Sequence, residues 1–211
     1  MYIQIKRVID IVLSAVGLLV LLPVLFIIVV AIKLDSPGPV LFRQKRVGIH
    51  KSHFNILKFR TMRIDTPKDT PTHLLENPEQ WITKMGQFLR RTSLDELPQI
   101  WNIFIGEMSI IGPRPALWNQ YDLIADRDKY GANDVLPGLT GWAQINGRDE
   151  LSIEAKAKLD GEYVEKIGFL MDMKCFLFTF VSVLKSDGVV EGGNTQLKGT
   201  IAQEADKSAK P

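Results

Sequence analysis

Between Ile11 and Ile32 the chain runs for 22 residues without a charge, interrupted only by Ser14, Gly17 and Pro23. As a straight helix this stretch would be about 33 Å long, enough to cross the hydrocarbon core of a bilayer. The flanks argue against a simple crossing. Lys6 and Arg7 precede the run, and Lys33, Arg43, Lys45 and Arg46 follow it. Loops rich in lysine and arginine stay on the cytoplasmic side, so basic residues at both ends ask for both ends on one side. Pro23 breaks the helical ladder near the middle and divides the run into parts of about 12 and 9 residues, each too short to span. Residues 1–35 are therefore expected to form a helix, a break and a second helix that dip into one leaflet and return. A cleaved signal peptide fits less well, because Lys33 and Asp35 stand where a small-residue cleavage site would be. Asp10, at the mouth of the run, is placed to pair with Lys6 or Arg7, or simply to solvate the helix end.

Charge is distributed to match. Residues 1–63 hold ten Lys and Arg against two acids, although the whole chain has a formal net charge of only +2. Basic residues beside anionic cytoplasmic lipid are each worth about 1 kcal/mol of attraction. A nucleic-acid partner is not expected, since no recognition motif accompanies the charge and the apolar run would go unexplained. The single cysteine, Cys175, excludes an intrachain disulfide and reads as a small core residue. His50, His53 and His73 lack metal-ligand spacing, which disfavours zinc.

With the anchor set aside, roughly 175 residues remain, the size of one compact domain. Residues 36–191 are assigned to it and 192–211, poor in apolar residues, to a mobile tail. Asp35–Gly38 makes a turn, and Pro39–Val47 reads as a short strand presenting Gln44 and the arginines. Phe54–Met62 alternates, with Phe54, Ile56 and Phe59 filling one side and Lys58 and Arg60 offered to a common surface. Residues 64–80 look like a surface loop or lid. Trp81–Leu89 and Ser152–Lys166 have helical spacing, the latter with Leu159 and Tyr163 on one side. Cys175–Leu184 is charge-free yet too short to cross a bilayer, so it predicts a core or membrane-surface helix carrying Phe176, Phe178 and Phe180. Pro137–Arg148 is rich in turn formers and carries Gln144, Asn146 and Arg148. Trp142 within it reads as a core or interfacial residue more readily than as a ligand platform. The fold class expected is α/β, mainly helical: a re-entrant membrane helix plus one cytoplasmic domain with interfacial helices.

Chemistry concentrates between Arg90 and Pro115. Asp95 and Glu96 are adjacent carboxylates, Arg90 and Arg91 precede them, and Arg114 stands between two prolines. Adjacent carboxylates raise one another's pKa, so the pair is more comfortable beside a metal ion or a guanidinium. Arginine is also the natural two-point grip for phosphate. Together they point to metal-assisted chemistry on a phosphate ester. A plainer reading stands beside this one: Ser93 and Glu96 have capping-box spacing, with Asp95 a first-turn acid. Pro98 favours a helix start near Leu97, which leaves both acids in the preceding turn.

The ordered motifs SPGPVLFRQKRVG, FNILKFRTM, RRTSLDELPQIWN, GEMSIIGPRP and PGLTGWAQINGR resemble those of the bacterial sugar transferase family, the monotopic phosphoglycosyl transferases. The resemblance covers nearly all of residues 1–185 and is closest to the small members. It implies transfer of a sugar 1-phosphate from a UDP-sugar to a polyprenyl phosphate, with release of UMP, at the cytoplasmic face of the bacterial inner membrane. Such a reaction starts a glycoconjugate or exopolysaccharide. It further implies Asp95 as covalent nucleophile, Glu96 as a Mg²⁺ ligand with Asp95 beside it, and Arg90 and Arg114 as phosphate-gripping residues. Lys58, Arg60, Gln144 and Arg148 lie in family motifs as further substrate-binding candidates. The family's anchor is often broken at Ser-Pro, and here the pair is Leu22-Pro23. Two other readings differ in observable ways: a glycosyltransferase would release UDP, and a noncatalytic membrane adaptor would have no need of the acidic pair. The sequence does not fix the sugar, and it is compatible with a homodimer.

Overall fold

The computed structural model describes residues 2–66, 78–147 and 151–185. The tail, Arg148 and most of the expected 64–80 loop lie outside the described residues. Helix α1 (Tyr2–Asp35) contains Pro23 without interruption of its helical assignment. The expected division into two helices is thus not seen in the secondary structure. Proline's fixed φ is itself helical, and only one backbone bond and a carbonyl contact are at stake. By length and composition α1 is able to cross a membrane.

Most of α1 faces outward, and only a thin line of side chains is buried. In the N-terminal half that line is Lys6, Asp10 and Ser14, spaced four apart and so on one helical face. Lys6 Nζ donates to Asp172 Oδ2 at 2.7 Å. Arg7 donates to the carbonyls of Ile103 and Phe104 at the end of a later helix, where a cation also meets the negative pole of the helix dipole. Asp10 accepts the N–H of Ile110 at 3.0 Å, so it pairs with neither Lys6 nor Arg7. A buried backbone N–H needs an acceptor, and Asp10 is the group that faces it. In the C-terminal part Ile28 and Ile32 pack on Phe59 and Leu89, each such side chain worth about 1.5–3 kcal/mol of burial.

Strands β1 (Leu41–Val47) and β2 (His53–Phe59) form an antiparallel hairpin in which Phe42 faces Lys58, Gln44 faces Ile56 and Arg46 faces Phe54. Paired residues share a face, so these six side chains lie together while Arg43 and Lys45 point away. Phe54 and Ile56 pack with Ile103 and Met108, whereas Phe59, of opposite parity, packs with α1. The three therefore do not fill one side.

The remaining elements wrap this frame: α2 (Lys84–Arg91), α3 (Gln99–Ile105), β3 (Ser109–Ile111), α4 (Tyr121–Asp128), β4 (Gly138–Thr140), the short α5 (Trp142–Ile145), α6 (Ile153–Glu165) and α7 (Phe169–Lys185). Strands β3 and β4 pair in parallel through Ser109 with Gly138 and Ile111 with Thr140. Helix α6 lies within the segment expected to be helical and is capped by the Ser152 side chain, and Tyr163 is buried with Ile111, Met171 and Cys175. Trp142 belongs to this packing and donates to Glu162. Helix α7 buries Met171, Asp172 and Cys175 but exposes Phe169, Leu170, Phe176, Leu177, Phe178 and Phe180. The described residues are thus α/β and mostly helical.

Candidate active site

The acidic pair is displayed by the leucines that flank it. Leu94–Glu96 is a 3-10 turn, and in that geometry residues three apart stack on one side. Leu94 and Leu97 enter the cluster formed by Ile28, Ile32, Phe59 and Leu89, which leaves Asp95 and Glu96 on the other side. Ser93 sits in the left-handed region at φ 55° and makes no side-chain cap, so the capping-box reading fails. A non-glycine residue held there costs on the order of 1 kcal/mol and reverses the chain sharply enough to turn the pair toward β2. Upstream, α2 is capped by Thr83 and lies directly on the strand exit: a Cβ on Gly86 would come within 2.0 Å of the Thr61 carbonyl. That close approach lets Arg90 Nε reach Thr61 Oγ1 at 3.0 Å.

Glu96 is clamped. Its Oε1 accepts from Lys58 Nζ at 2.8 Å and from Arg114 Nη2 at 2.7 Å. Burial alone would push this carboxyl up, but Arg114 and Lys58, by charge and hydrogen bond, hold it well below the usual range. Asp95 differs: no hydrogen bond reaches its carboxylate among the described residues. Burial pushes its pKa up and Glu96 adds to this, against the opposing charges of Lys58, Arg90 and Arg114. One acid is thereby kept ionised and fixed, while its neighbour is left half-buried and ringed by cations, with no hydrogen bond to its carboxylate among the described residues.

Arg114 is held by the backbone around it. Gly112 donates to Thr140 O, Gly138 to Pro113 O and Val47 to Ala116 O, each bond 2.8–3.0 Å long. A side chain at Gly112 would meet the Leu136 carbonyl at 2.5 Å, so the rigid turn needs glycine at its base. Arg46, on the inner face of the hairpin, is close enough to feel both Arg114 and Glu96. Burial and the neighbouring Arg114 charge lower its pKa to about 10.

A family model described as bacterial sugar transferase matches residues 1–186. The chain belongs to the bacterial sugar transferases. This sugar transferase is 39% identical over 185 residues to the uncharacterized sugar transferase EpsL of Bacillus subtilis, covering 87% of the chain and 89% of that relative. It is 41% identical over 187 residues to the UDP-glucose:undecaprenyl-phosphate glucose-1-phosphate transferase of Escherichia coli, covering 82% of the chain but only 39% of the relative. The UDP-galactose-lipid carrier transferase of Erwinia amylovora is 35% identical over 198 residues, with 87% and 41% covered. The chain thus spans about two fifths of the length of these longer relatives.

In the sugar transferase, four of the residues expected at the site, Lys58, Arg90, Arg114 and Glu96, converge around Asp95. Arg60 does not join them. Strand β2 ends at Phe59, and Arg60 turns back to donate to Ser36 O, Ser36 Oγ and Pro37 O, stapling the exit of α1. Gln144, on α5, donates to Leu139 O of β4, and Arg148 is outside the described residues. Two further residues, Asn102 and Arg46, support the site from behind. Asn102 is buried on α3 and binds Leu57 N–H and Asn55 O, fixing α3 against the edge of β2. Its signal was a buried-type amide within an apolar helix. Arg46 had only its even-numbered spacing from Gln44 and Phe42 to mark it as inward-facing.

Proposed function

We propose that this chain transfers a sugar 1-phosphate from a UDP-sugar to undecaprenyl phosphate through a covalent intermediate on Asp95. The observation that carries the reading is the Asp95 carboxylate, without a hydrogen bond among the described residues, ringed by Lys58, Arg90 and Arg114 and seated beside the clamped Glu96. An Asp95 oxygen attacks the sugar-bearing phosphorus, the bond from that phosphorus to the bridging oxygen breaks, and UMP leaves with the bridging oxygen. A phosphate oxygen of the lipid acceptor then attacks the same phosphorus and returns Asp95 as carboxylate. Splitting one displacement into two lets a soluble donor and a lipid-tailed acceptor use one site in turn. Arg114 and Lys58 stabilise charge on the phosphoryl oxygens where it develops.

Asp95 and Glu96 fit a Mg²⁺ ion. Both offer hard oxygens, and among the described residues neither the Asp95 carboxylate nor Glu96 Oε2 takes a hydrogen bond. No cluster of three or more His, Cys, Asp or Glu suited to a metal occurs among the described residues, which accords with an ion whose shell is completed by substrate phosphates and water. When bound, the ion would neutralise charge on the phosphoryl group being transferred.

The membrane reading rests on α1. Tyr2, Lys6, Arg7 and Asp10 near one end, and Ile28, Ile32 and Asp35 near the other, all engage the same domain. A spanning orientation would carry the polar contacts of one end into hydrocarbon, where they are costly. A re-entrant anchor keeps both ends at the cytoplasmic headgroup level. Exposed Trp101, Ile105 and the apolar face of α7 support interfacial contact beside it.

The test is purified protein with Mg²⁺, undecaprenyl phosphate and a panel of UDP-sugars. UMP release, abolished by Asp95→Asn, with a phosphosugar adduct on Asp95 when the acceptor is omitted, is expected. Release of UDP, or full turnover by Asp95→Asn, would overturn the reading.

A further inference from the structure

Arg46 takes no part in the chemistry above, yet it is bound into the frame behind Arg114. Its Nη1 donates to Pro115 O at 3.0 Å and its Nη2 to Gln44 Oε1 at 2.7 Å. Its backbone bridges Leu117, and the next residue, Val47, donates to Ala116 O. Residues 115–117 are therefore tied to β1 along their whole length, with the Arg46 side chain gripping the carbonyl immediately after Arg114. The same hairpin carries Lys58, the other partner of Glu96, on the same face. Two guanidinium groups placed near one another repel, and such an arrangement is retained at a cost in stability. A lysine would carry the charge without the planar fork that holds two acceptors at once.

We propose that Arg46 is a positioning residue that fixes the Pro113–Pro115 turn, so that Arg114 meets both Glu96 and the transferring phosphate. This role rests on the sugar-phosphate transfer proposed above. The hairpin is then a ruler: Lys58 approaches Glu96 directly from β2, and Arg114 approaches it through the Arg46–Pro115 link from β1. The positive charge of Arg46 behind the turn also biases Arg114 forward, toward the acids and the anionic substrate.

A double-mutant cycle on UMP release tests this, using Arg46→Gln, Arg114→Gln and the pair, with melting temperatures measured in parallel. Arg46→Gln should lower kcat about tenfold in the parent enzyme but no more than about twofold in the Arg114→Gln background, because residues acting through one another are not additive. Arg46→Lys, the milder change, should fall with Arg46→Gln and not with the parent. Additive losses, or a fully active lysine variant, would overturn the role of Arg46 and leave the transferase reading standing. A parent enzyme that releases no UMP from any UDP-sugar would overturn both.

Discussion

Asp172→Asn should loosen the first turns of α1 from the domain, and the size of the effect follows from the contacts. Asp172 Oδ2 accepts from Lys6 Nζ and from the Tyr2 hydroxyl, each at 2.7 Å, and Oδ1 accepts from Tyr163 at 2.7 Å. An asparagine can keep the Tyr163 bond through its own oxygen, but its NH₂ then confronts the Lys6 ammonium, which can only donate. The Lys6 and Asp172 side chains are each only 11% exposed, so the ammonium is left nearly buried without a counter-charge. Removing one partner of a buried ion pair costs about 3–5 kcal/mol. Lys6 can swing its flexible stem outward, which places the expectation near the lower end, about 3 kcal/mol. At roughly 2–4 °C per kcal/mol for a chain of this size, the melting temperature in detergent micelles should fall by about 6–12 °C. Hydrogen exchange in the first fourteen residues should quicken with it. Adding Lys6→Met to the variant should recover most of the loss, because no charge is then stranded. A fall of less than about 2 °C would show that the N-terminal end of α1 is not secured by this pair. The two ends of α1 would then not be held to one domain by the Lys6–Asp172 contact.

Asp95→Asn should abolish UMP release and raise the melting temperature at pH 7. Burial holds the folded pKa of Asp95 above its ordinary value, so ionising it removes stability, and a neutral isostere avoids that. The same shift sets an acid limb: kcat/KM against pH should decline as pH falls through a raised Asp95 value, above the reference of 3.8, while Glu96 stays ionised. For stability the two acids act oppositely. The Glu96 contribution is present above 4.5 and is lost as pH falls through its depressed folded value, whereas the Asp95 penalty grows as pH rises from 3.8 through its raised one. Gly86→Ala should unfold or severely destabilise the protein in a thermal melt, since its new methyl would strike backbone at Thr61. Cys175 is buried with its thiol pushed up to about 11, so it should resist alkylation and leave Gln4→Cys and Leu34→Cys as clean topology probes. A membrane-impermeant maleimide should label both in inside-out vesicles and neither in right-side-out ones.

Local pattern carried a long way in this chain. The uncharged run, the strand alternation from Phe54 and the helical spacing of Ser152–Lys166 are short-range features, and short-range sterics and burial decide them. The motifs of Arg90–Pro115 likewise nominate Asp95, Glu96, Arg90 and Arg114, because a phosphate site needs such side chains, and the fold brings these four together. What sequence could not assign was the partner of each polar group. Asp10 looked toward Lys6 and Arg7 but met the Ile110 N–H, a hundred residues away. Arg60 shared parity with Lys58 yet left the strand to staple Ser36 and Pro37. Ser93 and Glu96 had the spacing of a cap and adopted none, since Lys58 and Arg114 offered Glu96 charged partners. Residue type and spacing thus determined the chemistry available and the elements that carry it. Only the packing of α1, the hairpin and the Pro113–Pro115 turn decided which cation meets which acid, because hydrogen bonds and ion pairs form between groups near in space, and distance along the chain does not encode that.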